Sequence, residues 1–398
     1  MPHTNPQRAD DATWMANRRA VALEAMPTLS MPSPSEEIWR YLDLDFDPAL
    51  DTAPSAPGQG VTDEIVESWH GNVVRIVDGF TVTDGVSTTA EHSEEVETVS
   101  GDDLFTTAFT AYSPGSAYIG GELVDKPVFV DVVATGEGST FPGVHVDVPR
   151  GGDATVVIRF GSASDAGSTV VPTVTASVGD NARLTLSLIQ DWNYATRAFG
   201  RCAVRLQRDA ILAFSEVGLG AKLGRLHLDV DFIGDGSHAK IYGAYFGEED
   251  QVLDYRYFMN HIGTNTRADM FLKGAVADRA LSVFTGMIRI EETGQRTESF
   301  QTNRNLILSD GASAQSVPNL EILNNDVKCG HGSSVGPLDQ DQRYYLMSRG
   351  LTPKSADRLQ VHGFFEEVVE QIPDDHVAEW ARRKINSKYV TAQLEGRV

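Results

Sequence analysis

Cysteine is almost missing from this chain. Its 398 residues carry 2, Cys202 and Cys329. Two thiols so far apart build neither the disulfide framework of a small secreted domain nor a self-sufficient zinc site. Long apolar runs are missing too: no stretch reaches the roughly 18–20 residues that a spanning helix needs. The opening MPHTNPQRADDATWM lacks the basic-then-apolar order of a secretory signal. These absences predict a soluble, cytoplasmic protein without a membrane partner. Positive charge is scarce, with 33 Lys and Arg against 56 Asp and Glu, a formal charge of −23. Such a surface repels nucleic acid phosphates and anionic membranes, and serves solubility or a salt-adapted host. Also absent are the G-x-x-x-x-G-K-[ST] phosphate loop, the G-x-S-x-G elbow and the H-E-x-x-H zinc motif. GLGAKLG at 218–224 matches no phosphate-binding fingerprint, so ATP hydrolysis by that route is not expected.

What remains is globular in composition, 41% hydrophobic and 22% charged, and long enough for two or three domains. Residues 10–26 place Trp14, Ala22, Leu23 and Met26 at helical spacing behind Asp10 and Asp11, and Pro27 stops the helix. A short aromatic helix is expected over WRYLDL, with Ser35 as its cap, and then a Pro/Gly-rich linker at 45–60. From Val73 the pattern is strand-like, followed by an acidic loop at 91–97 and a short helix over 102–112. The expected units are therefore 1–72, a helical region with linker, and 73–116, a short α+β connection.

From 117 to 335 strand follows strand, as in ATVVIRF, ARLTLSLIQDW, RLHLDVDFI and LSVFTGMIRI. The turns resemble one another around Asp180, Asp209, Asp235, Asp278 and Asp310, at irregular spacing. That fits a solenoid with coils of varying length, so a parallel β-helix is expected, with a β-sandwich as the alternative. Residues 336–398 turn helical again. Gly350 closes one helix, Thr352 and Pro353 start a second, and Asp374 and Asp375 start a third whose far end carries Arg382, Arg383, Lys384 and Lys388. This segment reads either as a cap over the solenoid end or as a docking module for another chain.

Few residues carry a chemical signal. Cys202, in FGRCAVRLQ, shares a strand face with Val204 and Leu206 and reads as a buried, inert thiol. His227, Asp229 and Asp231 share the opposite kind of face and read as solvated polar residues rather than metal ligands. Carboxylates meeting across coils, as in a β-helical carbohydrate-active lyase or hydrolase, form the enzymatic alternative. Cys329-Gly330-His331 differs in kind. In an extended segment residues i and i+2 project to one side, so thiol and imidazole can approach one metal or sulfur atom. A cluster takes about four ligands on its irons. This segment offers two, so it reads either as half of a site shared with another chain or, since C-x-H alone is a weak signal, as a purely structural turn.

Residues 302–351 resemble the C-terminal signature of the SufB/SufD family of the SUF iron–sulfur cluster assembly system, in its SufD form. The matching stretches are Asn305–Ser309, Pro318–Ile322, Asp326–Gly332 and Tyr345–Gly350, followed by Gly363 and Phe364. Asn325 and Ser333-Ser334 depart from the family's pattern, beside Cys329 and His331 but not at them. The resemblance implies a right-handed parallel β-helix flanked by N- and C-terminal helical domains. It implies a non-catalytic scaffold that pairs with SufB through the β-helix and with the ATPase SufC through the C-terminal helices, or with itself as a SufD homodimer when isolated. Cys329 and His331 would hold a transient iron–sulfur cluster at the SufB interface. Tyr344, Tyr345, Leu346, Arg349, Gly350, Gly363, Phe364 and Phe365 would line the SufC-docking region. A flavin in the complex is also compatible with the family, though no residue of this chain signals it.

Overall fold

The computed structural model describes residues 13–42, 44, 54, 56–60, 64–91, 103–136, 138–163 and 167–398. The first-turn acids Asp10 and Asp11, nearly all of the linker before residue 54 and the acidic loop beyond Glu91 lie outside these residues. Among the described residues, strands coil into a parallel β-solenoid of about 7 turns, built as two ten-stranded sheets. Neighbouring coils pair in parallel and in register, as in His238–Gly247 on Arg267–Val276 and Val252–His261 on Leu281–Ile290. The alternation of these strands sends every second side chain inward. Inward positions therefore stack in columns. One runs Leu184, Leu212, Ala239, Ala268, Ser299, Cys329; its neighbour runs Leu186, Phe214, Ile241, Met270, Gln301, His331. Asn72–Val77, read from sequence as part of the connection, pairs in parallel with Val128–Ala134 in the first sheet.

The irregular Asp spacing has a structural cause. Asp180, Asp209 and Asp235 occupy turns that lead from the second sheet to the first, whereas Asp278 and Asp310 occupy turns on the opposite edge. Within one edge the turns stack: Asp209 N–H donates to the Asp235 carbonyl (2.9 Å), and Gly236 N–H to the Thr264 carbonyl (2.8 Å). Asp209 and Asp278 hold positive φ, 54° and 56°, the left-handed conformation that Asp and Asn tolerate better than most residues.

Helices cover the outer faces. The described helices are α1 (Thr13–Ala25), α2 (Glu64–Glu67), α3 (Leu104–Tyr112), α4 (Gln340–Ser348), α5 (Pro353–Val369) and α6 (Asp375–Leu394). The expected starts at Thr352 and Asp374 cap their helices, accepting from Ser355 N–H and Val377 N–H, and Asp103 accepts from Phe105 and Thr106 N–H, whereas the segment behind Ser35 forms only a short 3-10 turn over Glu37–Trp39. α1 and α3 pack with Trp39 on Phe199 of the second sheet and on Phe141 and Val171, which directly follow two of its short strands. α5 and α6 bury Phe365, Val368, Trp380 and Ile385 against Phe129, Val217 and Phe246 of the first. Each such side chain contributes about 1.5–3 kcal/mol by leaving water. The C-terminal helices thus lie along a flank of the solenoid and do not cap its end. Lys388 Nζ, 3.0 Å from Glu248 Oε1, and Arg397, paired with Glu248 (2.9 Å) and Asp278 (2.7 Å), tie this layer to the turns.

The interior is not uniformly apolar. Glu216 is fully buried; Gln190 Nε2 donates to it (2.8 Å) and Tyr257 Oη approaches it (3.5 Å). Burial pushes its carboxyl up to about 8, against the pull of hydrogen bonds from Gln190, Tyr257 and Tyr255. Folding therefore holds a proton that the unfolded chain releases near 4.5. The resulting stability is fully present below that value and is lost as pH rises through about 8. Glu216→Gln is expected to gain stability over the parent between pH 5 and pH 8, by on the order of 2–4 kcal/mol. Urea denaturation at both pH values checks this; parallel losses in the two proteins would refute it.

Candidate functional site

The last coil consists of Ser313–Ile322 in the second sheet and Lys328–Gly336 in the first, each the outermost strand of its sheet. With no coil beyond them, their inward residues form an open mouth. Cys329, His331 and Ser333 face it from one side, continuing the columns of Ser299, Gln301 and Asn303. Ser316, Pro318, Leu320 and Ile322 continue those of Phe284, Gly286, Ile288 and Ile290 from the other. Leu320, Ile322 and Val335, interior in kind, are 37%, 42% and 42% exposed. Two unpaired strand edges beside bare core residues are what a soluble protein normally covers.

Cys329 and His331 therefore share one face of one strand, as their spacing predicts. The Cys329 side chain is half-buried against the interior, and burial raises its thiol; His331 is exposed at the rim. Between and after them, Gly330 lies against the Phe300 ring and Gly332 beside the Thr302 hydroxyl, both on the outer side. Cys202 sits deep in the core and burial pushes its thiol far up, so it is no ligand candidate. Among the described residues, no group of three or more His, Cys, Asp or Glu side chains is arranged to hold a metal ion.

Beneath the mouth the interior turns polar. The strand Glu298–Ile307 points Ser299, Gln301, Asn303 and Asn305 inward, where the coil before it has Ala268, Met270, Leu272 and Gly274. Sequence reading missed this row. Its signal is four polar residues at alternate positions, which looks like a solvent face until the register of the apolar strand before it is known.

The C-terminal candidates divide. α4 buries none of its residues, and Tyr344 (75%) and Tyr345 (56%) are widely exposed beside Met347. Leu346 is half-buried, Arg349 lies 5.0 Å from the Tyr345 ring, and Gly350 takes φ 96° to end the helix. Gly363 is open to its surroundings. Phe364 is partly buried, under the Lys273 ammonium 4.4 Å from its ring, while Phe365 faces the solenoid and seats α5 on Phe246. Lys273 also pairs with Glu367 and donates to the Phe364 carbonyl (2.8 Å), and Arg304 lies 3.6 Å from the same Glu367. α5 is thus fastened to the two strands that precede the Cys329 strand in the first sheet.

The remaining polar face offers little chemistry. On the outside of the second sheet Asp229 pairs with Arg201 (2.9 Å) and His227 (3.3 Å), Asp254 with Arg225 and Arg256, and Glu321 with Arg289 (3.3 Å). Burial raises the Asp229 carboxyl, but hydrogen bonds and charge from His227 and Arg201 outweigh it and hold the group low. These carboxylates are committed to ion pairs. A cleft of about 470 Å³ lies between the Trp39 segment, α3 and this face, lined by Trp39, Phe105, Phe199 and Arg225. Among the described residues, no helix is long and apolar enough to cross a membrane.

Residues 132–364 match the family described as SUF system FeS cluster assembly, SufBD core domain. An iron–sulfur cluster assembly SufBD family protein of Mycobacterium tuberculosis is 37% identical over 265 residues, 64% of this chain and 66% of the relative. A SufBD family protein of Mycobacterium leprae is 30% identical over 387 residues, 92% of this chain and 93% of that protein. The iron–sulfur cluster assembly protein SufD of Escherichia coli is 28% identical over 244 residues, 61% of this chain and 58% of SufD. The geometry of the two thiols predicts a simple outcome. Iodoacetamide should modify Cys329 in the native chain, faster at higher pH, and reach Cys202 only after denaturation. Peptide mass spectrometry checks this, and equal labelling of both native thiols would refute it.

Proposed function

The chain belongs to the SufBD core family of the SUF iron–sulfur cluster assembly system, and from that premise we propose that it is the SufD-type scaffold subunit of a cytoplasmic SufB–SufC–SufD complex. Its role in this reading is positional, and ATP hydrolysis belongs to SufC. The open mouth receives the end of the SufB solenoid, adding strands to both exposed edges and covering Leu320, Ile322 and Val335. The nascent cluster is cargo built between the two subunits. Cys329 supplies a thiolate to iron or sulfur, and His331 supplies an imidazole nitrogen; SufB supplies the ligands that complete the site.

The observation that carries this reading is the placement of Cys329 and His331 on the inward face of an uncovered edge strand. Two donors at the rim of one subunit make a site only when another subunit closes it. The exposed α4 face, with Tyr344, Tyr345 and Met347, supports docking of SufC beside the same coil. Because α5 is fastened to Arg267–Val276 and Glu298–Ile307 through Lys273, Arg304 and Glu367, a SufC-driven shift of these helices would reach the mouth through two strands.

A SufD homodimer through the same edges fits the isolated chain. A carbohydrate-active β-helix is disfavoured by the pairing of carboxylates with arginines on the outer face of the second sheet. The test is co-expression with SufB and SufC homologues, followed by anaerobic reconstitution with iron and sulfide. Cys329→Ser and His331→Ala should leave the complex assembled and lower its cluster content at least severalfold, read by absorption and iron–sulfide analysis. Failure to form a complex, or wild-type cluster content in both variants, would overturn the proposal.

A further inference from the structure

The two open edges at the mouth are not equivalent. Along a parallel strand the backbone N–H groups point alternately to its two neighbours. On the second-sheet edge, Ser313 N–H donates back to the Ala280 carbonyl (3.0 Å) and Leu323 N–H to that of Ile290 (2.9 Å). The residues in the other phase, Ala314, Ser316, Leu320 and Ile322, therefore aim their N–H groups out of the mouth. Residue 318 belongs to the same set, but it is proline and has no N–H. On the first-sheet edge, Lys328 N–H donates back to the Thr297 carbonyl (2.9 Å). Cys329, His331, Ser333 and Val335 thus present theirs outward without a gap, up to Pro337 beyond the strand. Pro318 stands in register on Gly286, and Gly286 on Tyr257. In those lower coils this position must bond the next strand. At 318 a proline is tolerated because no strand of the same chain lies beyond it.

We propose that Pro318 splits the backbone ladder at the second-sheet edge, so that the uninterrupted edge Cys329–Val335 alone sets the register in which the SufB solenoid joins this one. The proposal rests on the reading of the mouth as the SufB interface. A second two-sheet solenoid is the occupant it requires, because such a body meets both edges and covers Leu320, Ile322 and Val335 together. A strand laid on the first-sheet edge places its own inward side chains one layer above Cys329 and His331, at roughly 4.8 Å. A slip of one residue would turn those side chains outward and away from the two donors. One continuous ladder beside the donors fixes that choice. A second continuous ladder on the far side would have to agree with it residue for residue, and the gap at Pro318 removes this demand. The same gap blunts the second-sheet edge against strands of other chains, a use that edge prolines commonly serve.

The experiment compares amide hydrogen exchange in the full chain alone and in complex with SufB and SufC homologues, resolved residue by residue. On assembly the amides of Cys329, His331, Ser333 and Val335 should slow together, by about tenfold or more. Those of Ser316 and Leu320, which flank Pro318, should slow far less. Pro318→Ala should extend the protection across the second-sheet edge. Ser333→Pro removes an N–H that no strand of this chain uses. It should leave thermal unfolding of the isolated chain unchanged and weaken binding of the SufB homologue by about tenfold or more, while Ser333→Ala binds as wild type. Ser316→Pro makes the same loss on the interrupted edge and should weaken binding by less than about threefold. Equal protection of both edges in the wild-type complex overturns the proposal. So do equal losses of affinity in folded Ser333→Pro and Ser316→Pro; should Ser333→Pro not fold, the wild-type exchange pattern decides alone. Protection of neither edge on assembly would instead strike the reading of the mouth as the SufB interface.

Discussion

In-register stacking of parallel strands is the constraint from which the rest follows. Once Arg267–Val276 pairs with Glu298–Ile307 residue for residue, and that strand with Lys328–Gly336, each inward position inherits the column below it. A one-residue slip would move Cys329 and His331 to the outer face and put Gly330 and Gly332 inside. The site is therefore not made by a loop that could take many shapes. It is the top layer of a stack whose two columns below are apolar and buried from Leu184 and Leu186 up to Ala268 and Met270. Rigidity is delivered by the core, and the two candidate donors stand where the core ends.

The end of the core is graded. Moving toward the mouth, the inward residues pass from Met270 and Leu272 to Gln301 and Asn303, and then to His331 and Ser333. Polar groups inside a solenoid are tolerated only when their hydrogen bonds are met, and the Tyr245–Asn303–Asn305 set meets them internally. The same gradient leaves the last strands with less apolar glue than their neighbours. Their edges and inward apolar residues stay exposed in the single chain.

Much of this was legible in the chain itself. Period-two alternation, recurring Asp turns and the helix starts at Thr352 and Asp374 are local signals, and the structure uses them locally. Placing Cys329 and His331 on one side needed only the strand period. The register was not legible. Nothing in ESFQTNRNLI says that Gln301 lies on Met270 and below His331 rather than facing water, because pairing over about 30 residues is a tertiary fact. The irregular Asp spacing pointed rightly to a solenoid, but that two of its edges contribute to one list could not be read from it. Phe365, grouped by sequence with surface residues, proved to be packing for α5, since neighbouring positions on a helix face different directions.

The flanking layer formed by α5 and α6 has a consequence for how the molecule opens. A bare solenoid unzips one coil at a time, since each coil touches only its neighbours. Here Lys388 and Arg397 reach turns separated by a full coil, at Glu248 and Asp278, and Lys273 and Arg304 are joined through Glu367. These cross-braces fuse the middle coils into one cooperative block. The outermost strands, Ser313–Ile322 and Lys328–Gly336, lie at the margin of that bracing. Amide protons there can exchange with solvent by local fraying while the block beneath stays shut. The rim is thereby the layer least tied to the rest, and any ordering of it by a neighbour would be entropy lost on association.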